Sequence, residues 1–327
     1  MTIPKVLFVT ERWTDGNWAM YDSPYEACLI GPLEYCGLGG AVRFYYDEVS
    51  DGLGADVPND KARDYLEARI VELVRVEKPD LLVITHLLPW HDRAARPEFY
   101  DQFNIPKCVI WVESSPDVMM EAERFRPHMS FSVVTCHPTM HKLWVQDPDH
   151  YLFAVEPRDP RVFYPPLHAI RNRDIPISLI GTTVRRADRI KLLASLWANG
   201  LLVFKAGGRE GGHLTTQEYA EYLRRSFSTI NTTADAIGIH RHTGRATEAM
   251  LSGTLLFETD NYLTPEYFEP GVDYVPFTDA KDLFEKFMAF SRDTEAAARI
   301  AEAGYHKALE ERDGRKFWRA LFERAGL

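Results

Sequence analysis

Short, continuous apolar runs alternate with helix-like patterns along this chain, and that alternation is the feature that most constrains its fold. A long amphipathic segment, residues 60–78, separates two of the apolar runs. Continuous Val, Ile and Leu runs between helices are typical of strands in a parallel sheet that helices cover on both faces. Strands are therefore predicted at residues 5–10, 41–48, 80–86, 107–113, 131–137, 177–181, 201–208, 227–231, 254–259 and 273–277.

Residues 156–176 interrupt this alternation. The segment holds five prolines and has little periodicity, as linkers between domains do. The pattern of runs and helices restarts after it. We therefore expect an α/β protein with two doubly wound, Rossmann-like domains that face a cleft, residues 1–165 and 166–327. The last predicted helix, about 313–326, is expected to pack back on the first domain.

The chain is acidic, with 38 Lys and Arg against 48 Asp and Glu and a formal net charge of -10. A surface of that sign repels phosphate backbones, so we expect neither nucleic acid nor a broad anionic membrane surface as a partner. No apolar run approaches the ~20 residues that a membrane-spanning helix needs. Because the first residues also lack the apolar region and cleavage site of a secretory signal, we expect a cytoplasmic location.

Charged and small polar residues follow many of the predicted strands. In doubly wound sheets, ligands bind beyond the carboxyl ends of the strands, so these residues are candidates for binding or catalysis. The candidates in the first domain are Asp15, His86, Glu113 and His137. The candidates in the second domain are Gly181, Thr182, Asn231, Gly207 to Arg209 and Glu258 to Asp260, and Lys205 joins them as the first residue of the glycine-rich segment 205–212. Histidine is the side chain best suited to proton transfer near neutral pH, and the sequence does not choose between His86 and His137.

Positive charge gathers in the stretch HRHTGRATEAMLSG, which begins with His240 and enters a predicted helix. A helix N-terminus binds anions through its unpaired N–H groups and its dipole. Thr243 can cap this helix, Gly244 permits close approach of a ligand, and Arg245 offers phosphate a planar group with paired donors. Glu248, one turn further, can accept hydrogen bonds from a sugar diol. Phosphate beside a diol describes a nucleotide or nucleotide sugar; the alternative is a solvated basic helix start.

The segment GRATEAMLSGTLLFETDNYLTPEYFEPGVDYVPFTDAKDLFEKF resembles the carboxy-terminal signature of GT-B-fold glycosyltransferases, specifically the spore-maturation-protein (CgeB-like) group. That signature is similar to G-R-x-x-E-A-x-x-x-G, followed by a strand, an acidic turn, F-E-P-G, an aromatic-ended strand and a D-L helix. The matching residues are Gly244, Arg245, Glu248, Ala249, Gly253, Phe268, Glu269, Pro270 and Gly271. The similarity spans roughly residues 170 to 320.

The resemblance implies a glycosyltransferase whose donor is a nucleotide-diphosphate sugar, UDP-, GDP- or dTDP-linked. It places the donor mainly on the second domain and the acceptor, a carbohydrate or glycoconjugate, on the first. In the wider group 1 glycosyltransferases, a Glu-x7-Glu pair brackets the donor site. Glu248 matches the second glutamate, which usually contacts the ribose, whereas the first falls at His240. This departure leaves the carboxylate role at the donor sugar, and the stereochemical outcome, open.

The charge that develops during sugar transfer suggests roles for these residues. Breaking the sugar–phosphate bond leaves negative charge on the diphosphate, which Arg245, the helix start and Lys205 or Arg209 can stabilise. An inverting reaction also needs a base, for which the candidates of the first domain are available. Residues 147–149, an Asp-Pro-Asp, lie in a polar turn and are interpreted as a loop, so no obligatory metal is expected.

Two other functions stay open from the sequence. A GT-B-fold epimerase acting on the nucleotide sugar itself would need no acceptor site. A non-catalytic nucleotide- or sugar-binding module would need no catalytic groups, and His240 in place of a glutamate favours that alternative.

Overall fold

The computed structural model describes residues 3–13, 23–85, 92–112, 116–135, 147–184, 186–208, 212–233 and 244–327. The chain divides into two compact units: a first unit, Met1–Asp159 with Asp313–Leu327, and a second unit, Pro160–Arg312. The chain thus passes between the units inside the proline-rich segment, a few residues before the predicted boundary, and its last helix lies in the first unit. Over the described ranges, no helix combines the length and apolar character needed to cross a membrane.

The first unit is built around a parallel sheet. Its strands within the described residues are β1 (Lys5–Thr10), β2 (Gly40–Tyr45), β3 (Leu81–Thr85), β4 (Lys107–Trp111), β5 (Phe131–Val134) and β6 (Tyr151–Phe153). They lie side by side in the order β2-β1-β3-β4-β5-β6. Leu7 of β1 aligns with Val42 of β2 and with Leu82 of β3. The order reverses direction beside β1, which creates the crevice where ligands of doubly wound sheets bind.

A second parallel sheet forms the centre of the second unit. Its strands within the described residues are β7 (Ile175–Ile180), β8 (Phe204–Ala206), β9 (Ser226–Asn231), β10 (Leu255–Thr259) and β11 (Val275–Phe277). Their order in the sheet is β11-β10-β9-β7-β8. Here the direction of winding changes beside β7 and β9, so the ends of these two strands mark the expected ligand crevice of this unit.

Helices connect the strands in both units. In the first unit a π-helical segment, Glu26–Ile30, leads into the first α-helix. The α-helices of the described chain are α1 (Gly31–Cys36), α2 (Tyr46–Leu53), α3 (Asn59–Glu77), α4 (Pro116–Phe125), α5 (Ala187–Ala198), α6 (Thr216–Arg225), α7 (Gly244–Leu251), α8 (Ala280–Arg292), α9 (Thr294–Glu311) and α10 (Gly314–Ala325).

Both faces of the first sheet are buried, as its apolar runs predict. Leu7 and Val9 of β1 pack with residues of α3 and α4 on one face. The alternate residues Val6 and Phe8 pack with α1 and α10 on the other. Successive strand residues point to opposite faces, so a strand covered on both sides has to be apolar at every position. This explains why the sequence shows continuous runs and not an alternating pattern.

The second sheet is apolar on one face and partly polar on the other. Ile177 and Leu179 of β7 pack against α5, α8 and α9. Ser178 points the other way, and its hydroxyl lies 3.0 Å from Thr229 Oγ1 in β9. These hydroxyl groups are buried and hydrogen-bonded to each other and to backbone carbonyls, so their burial leaves no polar group unsatisfied there.

Several predicted strands are shorter in the structure, and two of them show a clear physical reason. The predicted strand at 41–48 ends at Tyr45, and α2 begins at Tyr46. Asp47 there is buried and accepts backbone hydrogen bonds from Arg12 and Trp13, and acidic residues favour the first turn of a helix. Residues 201–208 were predicted as a strand that runs into a glycine-rich turn, and the strand itself covers only Phe204–Ala206. It ends because Gly207 and Gly208 adopt the left-handed region, with φ of 70° and 79°.

Candidate functional site

Helix α7 presents a narrow stripe of polar residues and buries the rest of its surface. Gly244, Arg245 and Glu248 are partly exposed. The buried residues of the helix are Ala246, Thr247, Ala249, Met250 and Leu251. Because Arg245 and Glu248 are three residues apart, their side chains share one face of the helix. The predicted pair of a cation and a carboxylate therefore lies outside the core, where a ligand can reach it.

Close packing against α9 holds α7 in place. A Cβ atom added to Gly304 of α9 would lie 3.3 Å from Met250 Cγ and 2.3 Å from the Asp273 carbonyl oxygen, so only glycine fits at this position. At the end of α9, the buried Arg312 donates from Nε to Thr247 Oγ1 at 3.0 Å. Packing and a charge-assisted hydrogen bond thus fix the helix that carries Arg245 and Glu248.

The guanidinium group of Arg245 lies against the end of β7. A Cβ atom added to Gly181 would lie 3.1 Å from Arg245 Nη1 and 3.2 Å from Arg245 Cζ. Gly181 also has a φ of 134°, a conformation that other residues rarely adopt. Glycine is therefore required here for two reasons: the backbone conformation, and the space that the guanidinium occupies. The structure brings together Arg245 and Gly181, which the sequence analysis selected separately.

A second glycine turn packs on the first. A Cβ atom added to Gly208, just after β8, would lie 2.4 Å from Thr182 Cα and 2.6 Å from the Thr182 nitrogen. The Gly181 N–H donates to the Ala206 carbonyl at 2.9 Å, which extends the pairing of β7 and β8 into these turns. The loops that leave the two strands are therefore in backbone contact, and the Arg245 guanidinium lies beside them.

A buried arginine ties the loop after β7 to the end of β9. Arg189 of α5 donates from Nη1 to the Thr182 carbonyl at 2.8 Å and from Nε to Thr232 Oγ1 at 2.9 Å. The planar guanidinium group can bridge two loops in this way because its donors point in fixed directions. The sequence analysis missed Arg189. Its position among the apolar residues of an amphipathic helix is a signal that could have indicated a buried, paired arginine.

Glu248 is oriented by a tyrosine from a neighbouring helix. Tyr219 of α6 donates its hydroxyl hydrogen to Glu248 Oε2 at 2.9 Å. Both residues are partly exposed, so the carboxylate lies at the surface of the unit and not in its core. The sequence analysis did not select Tyr219. Nothing in the local pattern of α6 distinguishes it from Tyr222, one turn further along the same helix.

A buried carboxyl network lies at the ends of β9 and β10. Glu258 is fully buried and accepts hydrogen bonds from Asn231 Nδ2 at 2.9 Å and from Thr264 Oγ1 at 2.5 Å. Burial raises the pKa of Glu258 to about 7, although these hydrogen bonds oppose the shift. Asn231, a predicted nucleotide contact, is itself buried, with its amide directed to Glu258. This hydrogen bond gives the Asn231 amide a partner inside the unit, and a contact of Asn231 with the nucleotide stays a prediction.

The other predicted site residues have different outcomes. Lys205 is half-buried in the middle of β8, and its neighbour across the sheet is Leu179. The predictions that fall outside the described residues concern Asp15, His86, Glu113, His137, Arg209, His240 and Thr243. Among the residues that the structure does describe, no three His, Cys, Asp or Glu side chains are grouped to hold a metal ion, and metal independence stays a prediction.

The arrangement around α7 has a definite chemistry. Arg245, whose guanidinium lies against Gly181 at the carboxyl end of β7, places a positive charge where α/β sheets bind ligands. The N-terminal end of α7 adds a partial positive charge. Glu248 supplies a hydrogen-bond acceptor one turn away. The site thus combines a place for an anion with a place for hydroxyl groups.

Residues 166–323 match the family described as glycosyl transferase-like. This segment includes β7 to β11 and the residues of the site around α7. No curated protein matches the chain at the sequence level.

Several solved structures share the architecture over nearly their full length. HepE from Anabaena, in complex with UDP-glucose, is 13% identical, with 99% of this chain and 100% of that chain covered and a TM-score of 0.69. Sucrose-phosphate synthase from Thermosynechococcus elongatus is 13% identical, with 98% and 100% covered and a TM-score of 0.64. An α-glucosyltransferase in complex with UDP-glucose and DNA containing an abasic site is 12% identical, with 99% and 100% covered and a TM-score of 0.65.

The family match and the shared architecture agree with the sequence analysis. Both sheets are parallel, and the chain has the GT-B fold of glycosyltransferases. The predicted fold class and the predicted class of enzyme, a glycosyltransferase, are confirmed. The epimerase and the non-catalytic binding module are not favoured.

Proposed function

We propose that this GT-B glycosyltransferase moves a sugar from a UDP-linked donor, bound by the second unit, to a carbohydrate or glycoconjugate acceptor bound by the first. One observation carries the proposal. The Arg245 guanidinium lies against Gly181 at the end of β7, while Glu248, on the same face of α7, is held by Tyr219. These groups match the two polar parts of a nucleoside diphosphate, its charged phosphates and its ribose diol.

In the proposed reaction, Arg245 acts on the leaving group. The bond between the anomeric carbon and the diphosphate oxygen breaks, and its electron pair stays on the diphosphate. The negative charge on that oxygen therefore grows as the transition state forms. A guanidinium group already placed beside Gly181 at the end of β7 stabilises this charge with little reorganisation, which is how preorganised donors raise a rate. The amino end of α7 contributes in the same sense.

Glu248 serves a different part of the donor in this proposal. An ionised carboxylate is an acceptor only, with about four lone-pair sites, so it suits the two hydroxyl groups of a ribose and repels phosphate. Two of the structural neighbours, HepE and the α-glucosyltransferase, were solved with UDP-glucose, which supports uridine as the base. Lys205 and Arg209, with Thr182, are proposed as further contacts of the donor, as are His240, Thr243, Gly244 and Asn231.

The acceptor is proposed to bind the first unit, with a base among Asp15, His86, Glu113 and His137. One structural neighbour was solved with DNA, whereas the net charge of -10 on this chain supports an acceptor other than nucleic acid. Positive charge from Arg245 and α7 supports transfer without a metal. The F-E-P-G sequence at residues 268–271 supports placement within the CgeB-like group.

Nucleotide binding is the direct test of the proposal. Ligand that binds only the folded protein raises its stability, by roughly 2.7 kcal/mol at about 100 times Kd. In thermal melts with UDP, GDP, dTDP and CDP, we expect UDP to raise Tm most. We also expect free UDP to be released from UDP-glucose when a carbohydrate acceptor is supplied. A protein that none of the four nucleotides stabilises, and that releases no UDP, would contradict the proposal.

A further inference from the structure

Tyr219 lies next to the proposed ribose-binding carboxylate, and the function proposed above names its hydrogen bond but gives the residue no role of its own in donor recognition. Its hydroxyl donates to Glu248 Oε2 at 2.9 Å. We propose that Tyr219 is a positioning residue, whose hydrogen bond orients the Glu248 carboxylate toward the ribose diol of the donor. This inference rests on the proposed role of Glu248, and it adds a residue on a separate helix that sets how well the nucleotide is recognised.

The start of α6 is fixed by reciprocal hydrogen bonds. Thr215 Oγ1 accepts from the Glu218 N–H at 3.2 Å, and Glu218 Oε2 accepts from the Thr215 N–H at 2.8 Å. This capping box satisfies two N–H groups that would otherwise lack a helical partner. Tyr219 follows Glu218 directly, so the position of its backbone is set by the cap. The capping box therefore fixes the backbone position from which the Tyr219 side chain extends.

The loop before α6 is anchored to the glycine turn of the site. A Cβ atom added to Gly207 would lie 3.0 Å from Leu214 Cδ1, so the Leu214 side chain packs directly on that turn. Leu214 precedes the capping residue Thr215. The helix that carries Tyr219 is thus attached to the same turns that lie beside Arg245, which places the positioning group and the phosphate-binding group on one connected framework.

The tyrosine ring is held by a buried aromatic residue. Tyr219 and Phe163 meet edge to face, with ring centroids 6.1 Å apart and an angle of 75° between the rings. Phe163 is 2% exposed, so it offers a fixed surface. A ring held in this way directs its hydroxyl to one place. Pairing through the ring edge is a favoured aromatic geometry, and it does not depend on the hydroxyl. Removing the hydroxyl alone should leave the ring where it is.

Holding Glu248 matters because a glutamate side chain is long and has many rotamers. Ordering it only when the ligand arrives costs conformational entropy, which reduces affinity. A hydrogen bond formed in advance removes part of that cost. The carboxylate has about four acceptor sites, so the bond from Tyr219 does not prevent bonds from ribose hydroxyls. The expected effect of Tyr219 is therefore on recognition of the diol and not on the phosphates.

The test measures diol recognition directly. The Kd values of UDP and of 2′,3′-dideoxy-UDP are determined by titration calorimetry for the wild-type protein and for Tyr219→Phe, Glu248→Gln and Tyr222→Phe. Tyr222 is a matched control, because it lies on the same helix but its ring packs on Phe204, with centroids 5.2 Å apart. The ratio of the two Kd values reports the contribution of the diol, and the dideoxy nucleotide reports whether the rest of the site is intact.

The wild-type protein is expected to bind UDP roughly 10-fold or more tightly than dideoxy-UDP, since hydrogen bonds to charged groups contribute more than neutral ones. Glu248→Gln should remove most of that ratio. Tyr219→Phe should raise the Kd of UDP about 3- to 10-fold and leave the Kd of dideoxy-UDP unchanged, because only the orientation of the carboxylate is lost. Tyr222→Phe should match the wild-type protein for both nucleotides.

Each contrary result has its own meaning. If Tyr219→Phe keeps the wild-type ratio of the two Kd values while Glu248→Gln loses it, the positioning role is overturned and the donor site stays in place. If Tyr219→Phe weakens the binding of both nucleotides equally, the positioning role is also overturned, because the tyrosine would then support the fold of the site. A ratio that Glu248→Gln does not change removes the ribose assignment itself, and the inference with it.

Discussion

Arg245 shows how the role proposed for one side chain depends on its surroundings. Its guanidinium group lies against Gly181, where a Cβ atom would come within 3.1 Å of Nη1. A methyl group there would push the arginine from the end of β7, so the glycine and the arginine depend on each other. The same pair would be an ordinary loop glycine and an ordinary surface arginine in another arrangement. In the proposed reaction this charge stabilises the leaving diphosphate, and the contact with Gly181 sets where the charge lies.

Replacement of Arg245 by alanine is expected to lower kcat by roughly 10²-fold or more, as removal of a preorganised donor to a developing oxyanion does elsewhere. Arg245→Lys keeps the positive charge but lacks the planar guanidinium group, so its kcat should lie between the values of the wild-type protein and the alanine variant. Arg171→Ala serves as the control, since Arg171 is exposed in the same unit, and should leave kcat near the wild-type value. Release of UDP at saturating donor is the measurement. Turnover close to wild type in the alanine variant would remove Arg245 from the mechanism.

At the scale of elements, β9 and β10 end on a shared buried network. Asn231 ends β9, Glu258 lies near the end of β10, and Thr264 follows in the next turn. Hydrogen bonds of 2.9 Å and 2.5 Å join the first and last of these to the Glu258 carboxyl group. The network connects two strand ends beside the site. Because the carboxyl group is fully buried, its protonation is coupled to folding.

The stability of the folded chain should therefore fall as pH rises through the range set by Glu258. Its pKa is raised from the ordinary 4.5 to about 7 in the folded state. Below about pH 4.5 both states hold the proton, and between that pH and about 7 only the unfolded state loses it. The free energy of unfolding should fall by roughly 3 kcal/mol across this window and then level off.

Glu258→Gln removes the ionisable group and should remove this part of the pH dependence, as measured by urea unfolding at a series of pH values. Glu302→Gln, at an exposed position on α9, is the matched control and should keep the wild-type profile. If the glutamine variant and the wild-type protein have parallel stability curves from pH 4.5 to 7, Glu258 is not the group responsible.

At the scale of the whole molecule, the chain returns to its first unit at the end. Helix α10 follows the second unit in sequence but packs in the core of the first. Trp318 is fully buried there, with its ring edge to face with Phe8 at 5.7 Å and its Nε1 hydrogen donated to the Leu29 carbonyl at 3.2 Å. The first unit is therefore complete only when the last residues of the chain are in place.

Trp318→Ala should lower the stability of the first unit by about 3–5 kcal/mol, because it leaves a cavity and removes the hydrogen bond to the Leu29 carbonyl. Trp197→Ala is the matched control: this ring on α5 is 70% exposed, and its loss should change stability by less than about 0.5 kcal/mol. Urea unfolding followed by far-UV circular dichroism provides the measurement. Equal effects of the two substitutions would show that α10 does not stabilise the first unit.

Much of the fold follows from local pattern alone. A strand buried on both faces has to be apolar throughout, so runs such as residues 5–10 and 255–259 can be recognised as strands from the sequence. The shortest elements cannot be recognised from an apolar run. Strand β6 has three residues, too few to show a period, and α2 begins inside an apolar run that reads as a strand. Arg245, Glu248 and Gly181 were also found from the sequence, because a motif and a strand end mark them.

Packing between elements determines which of those residues come into contact. Tyr219 meets Glu248, Arg189 joins Thr182 to Thr232, and Arg245 meets Gly181, although in each case other segments of the chain lie between them. Periodicity and motifs are properties of neighbours along the chain, so they are enough to predict the class of fold and the types of residue at the candidate site. Hydrogen bonds require atoms within about 3 Å, and elements far apart in sequence reach that distance only when the sheets and helices pack.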